Sequence, residues 1–123
     1  MDQIVARKVL VVSPDSGALG NTVEVLASAG FEAHGACTFQ DALRAISSDA
    51  PDLLIADQRL GAFNGLHLVV RGRANAPHMR AIVTSPTEDR ILEVDARQLN
   101  AESVVRPRDP HEWLASIYLD GSH

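Results

Sequence analysis

Four short apolar runs, Val9-Leu10-Val11-Val12, Leu53-Leu54-Ile55-Ala56, Ala81-Ile82-Val83 and Val104-Val105, constrain this chain more than any other feature. They lack polar alternation and are short, as strands covered on both faces are. A further stretch, Phe31 to Cys37, alternates more and reads as an edge strand. Between the runs lie segments of helical period. Leu19, Val23 and Leu26 share one helix face, and Gly30 stands where a helix C-terminal glycine belongs. Ser13-Pro14 offers that helix an N-cap and a first-turn proline. Thr38 with Asp41 resembles a capping box ahead of Ala42, Leu43 and Ile46, and Pro51 closes that connection. Asn64-Gly65 opens a helix with Leu66, Val69 and Val70 that ends near Gly72. Thr87-Glu88-Asp89 opens another with Ile91, Leu92 and Val94, and Asn100 suits its left-handed end. Asp109-Pro110 starts the last, with Trp113, Leu114, Ile117 and Tyr118.

Strand and helix alternating in this way predict an α/β fold: a single doubly wound, five-stranded parallel sheet with helices on both faces. Five repeats are too few for a closed eight-stranded barrel. A chain of 123 residues is one domain. With 46 % hydrophobic and 22 % charged residues it has a globular composition rather than a disordered one. A net charge of -5 gives no bulk attraction to nucleic acid or anionic lipid. The single cysteine, Cys37, excludes an intramolecular disulfide and a multi-cysteine zinc site, and fits a reducing cytoplasm. At a strand end it reads as a small buried hydrophobe. No stretch approaches the roughly 20 apolar residues of a membrane span. The opening residues have no long apolar segment of the secretory type.

In an open α/β sheet, ligand chemistry gathers at the carboxyl ends of the strands near the switch point. That rule selects Ser13, Pro14 and Asp15 after the first strand and Asp57 after the third. It also selects Thr84 and Ser85 after the fourth, and Arg106-Pro107 after the fifth. Each has a plain structural reading beside the functional one. Asp57 could cap a turn, Thr84 could start a Thr-Ser-Pro turn, and Ser13 to Ser16 could simply begin a helix. Arg106 could serve only as counter-charge to a carboxylate removed from water. His34, His67, His78, His111 and His123 show no metal-ligand spacing. There is no Gly-rich phosphate loop and no second acidic cluster to favour a phosphate-handling hydrolase of similar fold.

Four segments carry a resemblance. Pro51-Asp52-Leu53-Leu54-Ile55-Ala56-Asp57 is followed by Leu60-Gly61-Ala62-Phe63-Asn64-Gly65-Leu66, then Ile82-Val83-Thr84-Ser85, then Val104-Val105-Arg106-Pro107. In this order and spacing they resemble the receiver domain of two-component response regulators, from about Lys8 to Tyr118 of a domain spanning 1–123. The resemblance implies a flavodoxin-like sheet of strand order 2-1-3-4-5. It implies phosphorelay signalling, with Asp57 accepting a phosphoryl group from a sensor histidine kinase or phosphotransfer protein, and no enzyme activity beyond that. Thr84 and Arg106 would assist. By the same resemblance the Arg106–Pro107 bond would be cis, and the fourth helix, fifth strand and fifth helix would dock partners or a second copy in a homodimer. That face would carry Glu88, Asp89, Glu93 and Asp95 beside Arg90 and Arg97.

The family holds Mg2+ on the acceptor aspartate and an acidic pair after the first strand. Here the pair is Ser13-Pro14, which leaves Asp57, the adjacent Asp15 and the backbone of Arg59 for a weak or absent Mg2+ site. The family's lysine is Arg106, a planar fork in place of a point charge. Its aromatic switch position is Ser103. These departures raise an alternative function, a pseudo-receiver that acts as a phosphorylation-independent protein-interaction module. Arg106 is expected within hydrogen-bond reach of Asp57.

Overall fold

A computed structural model describes residues 7–107, 109–114 and 117; Tyr118 lies outside them. Five parallel strands form one sheet: β1 (Lys8–Val12), β2 (Glu32–Ala36), β3 (Leu53–Asp57), β6 (Arg80–Ser85) and β7 (Glu102–Val105), in the order β2-β1-β3-β6-β7. This is the expected 2-1-3-4-5 order. A pair of two-residue strands, β4 (Arg59–Leu60) and β5 (Phe63–Asn64), forms an antiparallel hairpin in the loop after β3. The helices are α1 (Ser16–Ser28), α2 (Phe39–Ser48), α3 (Gly65–Arg73) and α4 (Arg90–Gln98). Glu112, Trp113, Leu114 and Ile117 are also helical.

Strand side chains alternate between the two faces of the sheet. Val9, Val11, Leu53, Ile55 and Ile82 pack with Leu19 and Leu26 of α1 and with Trp113 and Ile117. Leu10, Val12, Leu54, Ala56, Ala81 and Val83 pack with Ala42 and Ile46 of α2, Leu68 and Val69 of α3, and Leu92 and Ala96 of α4. Burial of a side chain such as Leu26 or Leu54, wholly inside, contributes roughly 1.5–3 kcal/mol. The third and first strands, covered on both sides, are the apolar runs that announced the fold. β7 departs from that reading: it is an edge strand, and Val105 is 43 % exposed while Val104 packs inward.

Several helix ends stand where the sequence places them. Thr38 Oγ1 accepts from Asp41 N–H, and Asn64 Oδ1 accepts from His67 N–H. Gly30 (φ 99°) and Asn100 (φ 56°) take the left-handed conformation that ends a helix. The start of α1 is a correction. Its N-cap is Asp15, whose Oδ1 accepts from Gly17 N–H and Ala18 N–H, both at 3.1 Å. Ser13 and Pro14 precede the helix. A carboxylate suits the positive end of the helix better than a neutral hydroxyl, and Ser13 has another partner. Cys37 is exposed rather than buried, because β2 is an edge strand and Cys37 follows its last residue. No peptide bond among the described residues is cis, so the cis expectation for Arg106–Pro107 fails. The trans form is the lower in energy for most bonds to proline, and Arg106 N–H donates to Ser85 O in a regular continuation of the ladder. Ile91 and Val94, read with Leu92 as one apolar set, lie on the outer face of α4 at 75 % and 47 % exposure.

Candidate functional site

Asp57 ends β3 at the centre of the sheet, between β1 and β6. Its backbone is pressed from one side by α3: an atom added at Cα of Gly65 would lie 2.5 Å from Asp57 O. Only glycine fits that approach. The carboxylate faces the crevice at the carboxyl ends of the strands, and its side chain is 13 % exposed. Three neighbours donate to it. Ser13 Oγ, beyond the end of β1, donates to Oδ2 at 2.8 Å. Thr84 Oγ1, on β6, donates to Oδ1 at 2.9 Å. The guanidinium of Arg106, beyond the end of β7, donates to Oδ2 and forms an ion pair with it. The arginine expected beside Asp57 is there, as is the threonine.

The remaining candidates are placed differently. Asp15 has its Oδ1 on the first turn of α1, and its N–H donates to Ser13 Oγ at 3.2 Å. It holds the serine hydroxyl that holds Asp57. Arg59 begins the small hairpin, with an exposed side chain. Ser103, where the resemblance sets an aromatic, is half-buried on β7 opposite Val83. Asp89, expected on the open face of α4, is that helix's N-cap: its Oδ1 accepts from Leu92 N–H at 3.0 Å. Its other oxygen accepts from Gln58 Nε2 at 3.0 Å. The Leu92 N–H, then the Gln58 amide, hold the Asp89 carboxyl below the usual carboxylate range. Ser85, not Thr84, closes the turn after β6, with Oγ donating to Thr87 O at 2.6 Å.

Sequence reasoning selected Ser13 without its role as a donor to Asp57, and missed Gln58. Ser13 was visible as a strand-end residue, but Ser-Pro ahead of a helical pattern reads as a cap. The Gln58–Asp89 bond joins residues 31 positions apart and has no local signal. The hairpin after Asp57 was also missed. It is secured by Phe63 stacked on Phe39 of α2, with centroids 4.3 Å apart, and by the edge of His67 against both rings. A small cavity of about 20 Å³, room for one water, lies beneath Asp57 and Arg106 among Ser13, Thr22 and Trp113. Among the described residues no group of three or more His, Cys, Asp or Glu is arranged to hold a metal ion. No helix there is long and apolar enough to cross a membrane.

Solved structures share this architecture. A CheY-like response regulator receiver domain protein from Methanospirillum hungatei is 22 % identical, with a TM-score of 0.85 over 94 % of each chain. The chemotaxis protein CheY4 of Vibrio cholerae is 19 % identical, with a TM-score of 0.83 over 91 % of this chain and 96 % of that one. An orphan response regulator of H. pylori is 22 % identical, with a TM-score of 0.80 over 91 % and 93 %. No curated protein sequence matches the chain. The sequence profile of the response regulator receiver domain spans residues 9–117, from β1 to the last helical residue described. That match covers most of the chain, and the chain belongs to the response regulator receiver family.

Proposed function

We propose that this receiver works as a cytoplasmic protein-interaction module whose Asp57 is neutralised from within the chain, so that docking does not depend on Mg2+-assisted phosphorylation. One observation carries the reading: among the described residues the Asp57 carboxylate is paired with the Arg106 guanidinium and accepts hydrogen bonds from the Ser13 and Thr84 hydroxyls. The donor set does not suit Mg2+. The ion requires several hard oxygen ligands, usually with one or two carboxylates. The residues that would supply the acidic pair are a serine hydroxyl, already directed at Asp57, and a proline. Asp15 caps α1, and a guanidinium sits on the carboxylate oxygen. Lone pairs that accept three hydrogen bonds are also poorer nucleophiles.

The docking face is α4 with β7. Ile91, Val94 and Val105 are exposed there, and Arg90, Glu93, Asp95 and Arg97 surround them on α4. Apolar residues ringed by both charge signs suit a partner protein or an isologous contact with a second copy.

A second reading has its own observation. Thr84 and Arg106 already converge on Asp57, as phosphoryl transfer requires. A sensor histidine kinase or phosphotransfer protein would then be the donor. One carboxylate oxygen of Asp57 would form the new O–P bond as the N–P bond to the donor imidazole breaks, and Arg106 would neutralise the transferred group.

Labelling by a small phosphodonor separates the two. We expect slow or undetectable labelling with or without Mg2+, and no micromolar Mg2+ affinity by calorimetry. Replacing Ser13 and Pro14 together by aspartate should raise labelling. Because Asp15 is the cap, α1 keeps its start in that variant. Fast labelling of the unmodified chain that disappears in Asp57→Asn overturns the proposal in favour of the phosphorelay reading.

A further inference from the structure

We infer that Gln58 is the positioning residue through which the state of Asp57 reaches α4, by its side-chain hydrogen bond to Asp89. The inference rests on the reading of Asp57, with its internal donors, as the centre of a receiver whose docking face is α4. It addresses how a change there is felt on the docking face when Ser103 is too small to report it.

Gln58 follows Asp57 directly, and its backbone is fixed at a junction of three elements. Its N–H donates to Thr84 O at 2.7 Å, and its carbonyl accepts from Gly65 N–H at 2.8 Å. Thr84 therefore meets the site twice, through its hydroxyl on Asp57 Oδ1 and through its carbonyl on Gln58. A shift of the Thr84 backbone that follows a change at Asp57 is passed to Gln58 through that carbonyl. From that backbone the side chain reaches past the end of β6, and Nε2 donates to Asp89 Oδ2 at 3.0 Å. The other oxygen of the same carboxylate caps α4 through Leu92 N–H. One aspartate thus anchors the helix start and receives the link from the acceptor loop. Carboxylate geometry is rigid, so a pull on Oδ2 moves Oδ1 and the first turn it holds. That turn presents Ile91, the most exposed large apolar side chain described. Coupling of this kind needs a physical chain of contacts, and one runs from Asp57 through Thr84, Gln58 and Asp89 to Leu92.

The test is a set of backbone amide spectra on the full chain. Asp57→Asn perturbs the centre without phosphorylation. With Gln58 intact, it should shift the amides of Leu92 to Ala96 as well as that of Thr84. In a Gln58→Leu background the Thr84 amide should still move, while the α4 response is lost. Asp89→Ser keeps the N-cap with a shorter side chain that does not reach Gln58, and should lose the response in the same way. The paired change Q58E with D89N reverses donor and acceptor, leaves a good cap, and should restore it. A purely structural role for Gln58 predicts no such rescue. An α4 response that persists unchanged in both Gln58→Leu and Asp89→Ser overturns the inference, as does the absence of any α4 response with Gln58 in place. Phosphodonor labelling is a separate readout: fast labelling overturns the proposed function and leaves this link standing.

Discussion

At the scale of the residue, the centre of this protein is a carboxylate with three donors and little water. Asp57 is 13 % exposed with the arginine in place, and removing Arg106 leaves only two hydroxyls to meet its charge. Loss of one partner of a buried pair costs about 3–5 kcal/mol, but Arg106 is 37 % exposed and solvent screens part of that. Arg106→Ala should therefore lower stability by about 1–2 kcal/mol in urea unfolding followed by Trp113 fluorescence, once this discount is made. A neutral result would show that water replaces the guanidinium without loss. Asp57, Thr84 and Arg106 were legible in the sequence because each ends an apolar run, where an α/β sheet turns side chains to its crevice. Ser13 was not legible as a donor. Its hydroxyl could cap a helix or face the crevice, and that choice depends on Asp15 taking the cap.

At the scale of the element, the critical contacts are at helix starts. Helix α3 begins against the Asp57 carbonyl, where a methyl group at residue 65 would sit 2.5 Å from oxygen. Gly65→Ala should cost about 1–3 kcal/mol despite the better helix propensity of alanine, because backbone must move at both α3 and Asp57. Thermal unfolding is the measurement, and an unchanged midpoint would contradict it. Helix α4 depends on the charge of Asp89. Its carboxyl is lowered below the usual value by the Leu92 N–H and the Gln58 amide, so its contribution is complete above the unfolded value of about 3.9. That contribution disappears as pH falls through the lower folded value. In an acid titration the Leu92 amide should change at a pH below the ordinary aspartate range; a midpoint at or above that range would remove the assigned cause. The caps at Thr38 and Asn64 were readable because capping is local chemistry. The cap at Asp15 was displaced by a serine two residues earlier that looked equally suitable. The β4–β5 hairpin went unread because it is held by Phe39, which is distant in sequence, not by its own turn.

At the scale of the whole molecule, the five strands of the main sheet follow from the four apolar runs and the alternating stretch Phe31 to Cys37, while their order across the sheet came from the family resemblance. What composition could not show is which side of each helix meets the sheet. On α4 a plain apolar count includes Ile91 and Val94, yet Leu92 and Ala96 take the core and the others face outward. If this face pairs two copies, acid on one should meet base on the other. Reversing the charge of Arg90 and Arg97 together should then weaken dimers in sedimentation. A mass that is monomeric and unchanged at every concentration would leave the face to a different partner.

The reach of Arg106 has a mechanical consequence. The arginine follows β7, the sheet's edge strand, and its guanidinium crosses the end of β6 to a residue of β3, two strand spacings or roughly 10 Å away. An edge strand is ordinarily secured to one neighbour and peels first. Here it is also fastened to the middle of the sheet by a tie that runs across the strands at their carboxyl ends. Tension on the chain beyond Val105 is shared between the β6–β7 ladder and the Asp57 carboxylate. The same carboxylate that could receive a signal is thus a rivet, and loosening it would free one border of the sheet to fray.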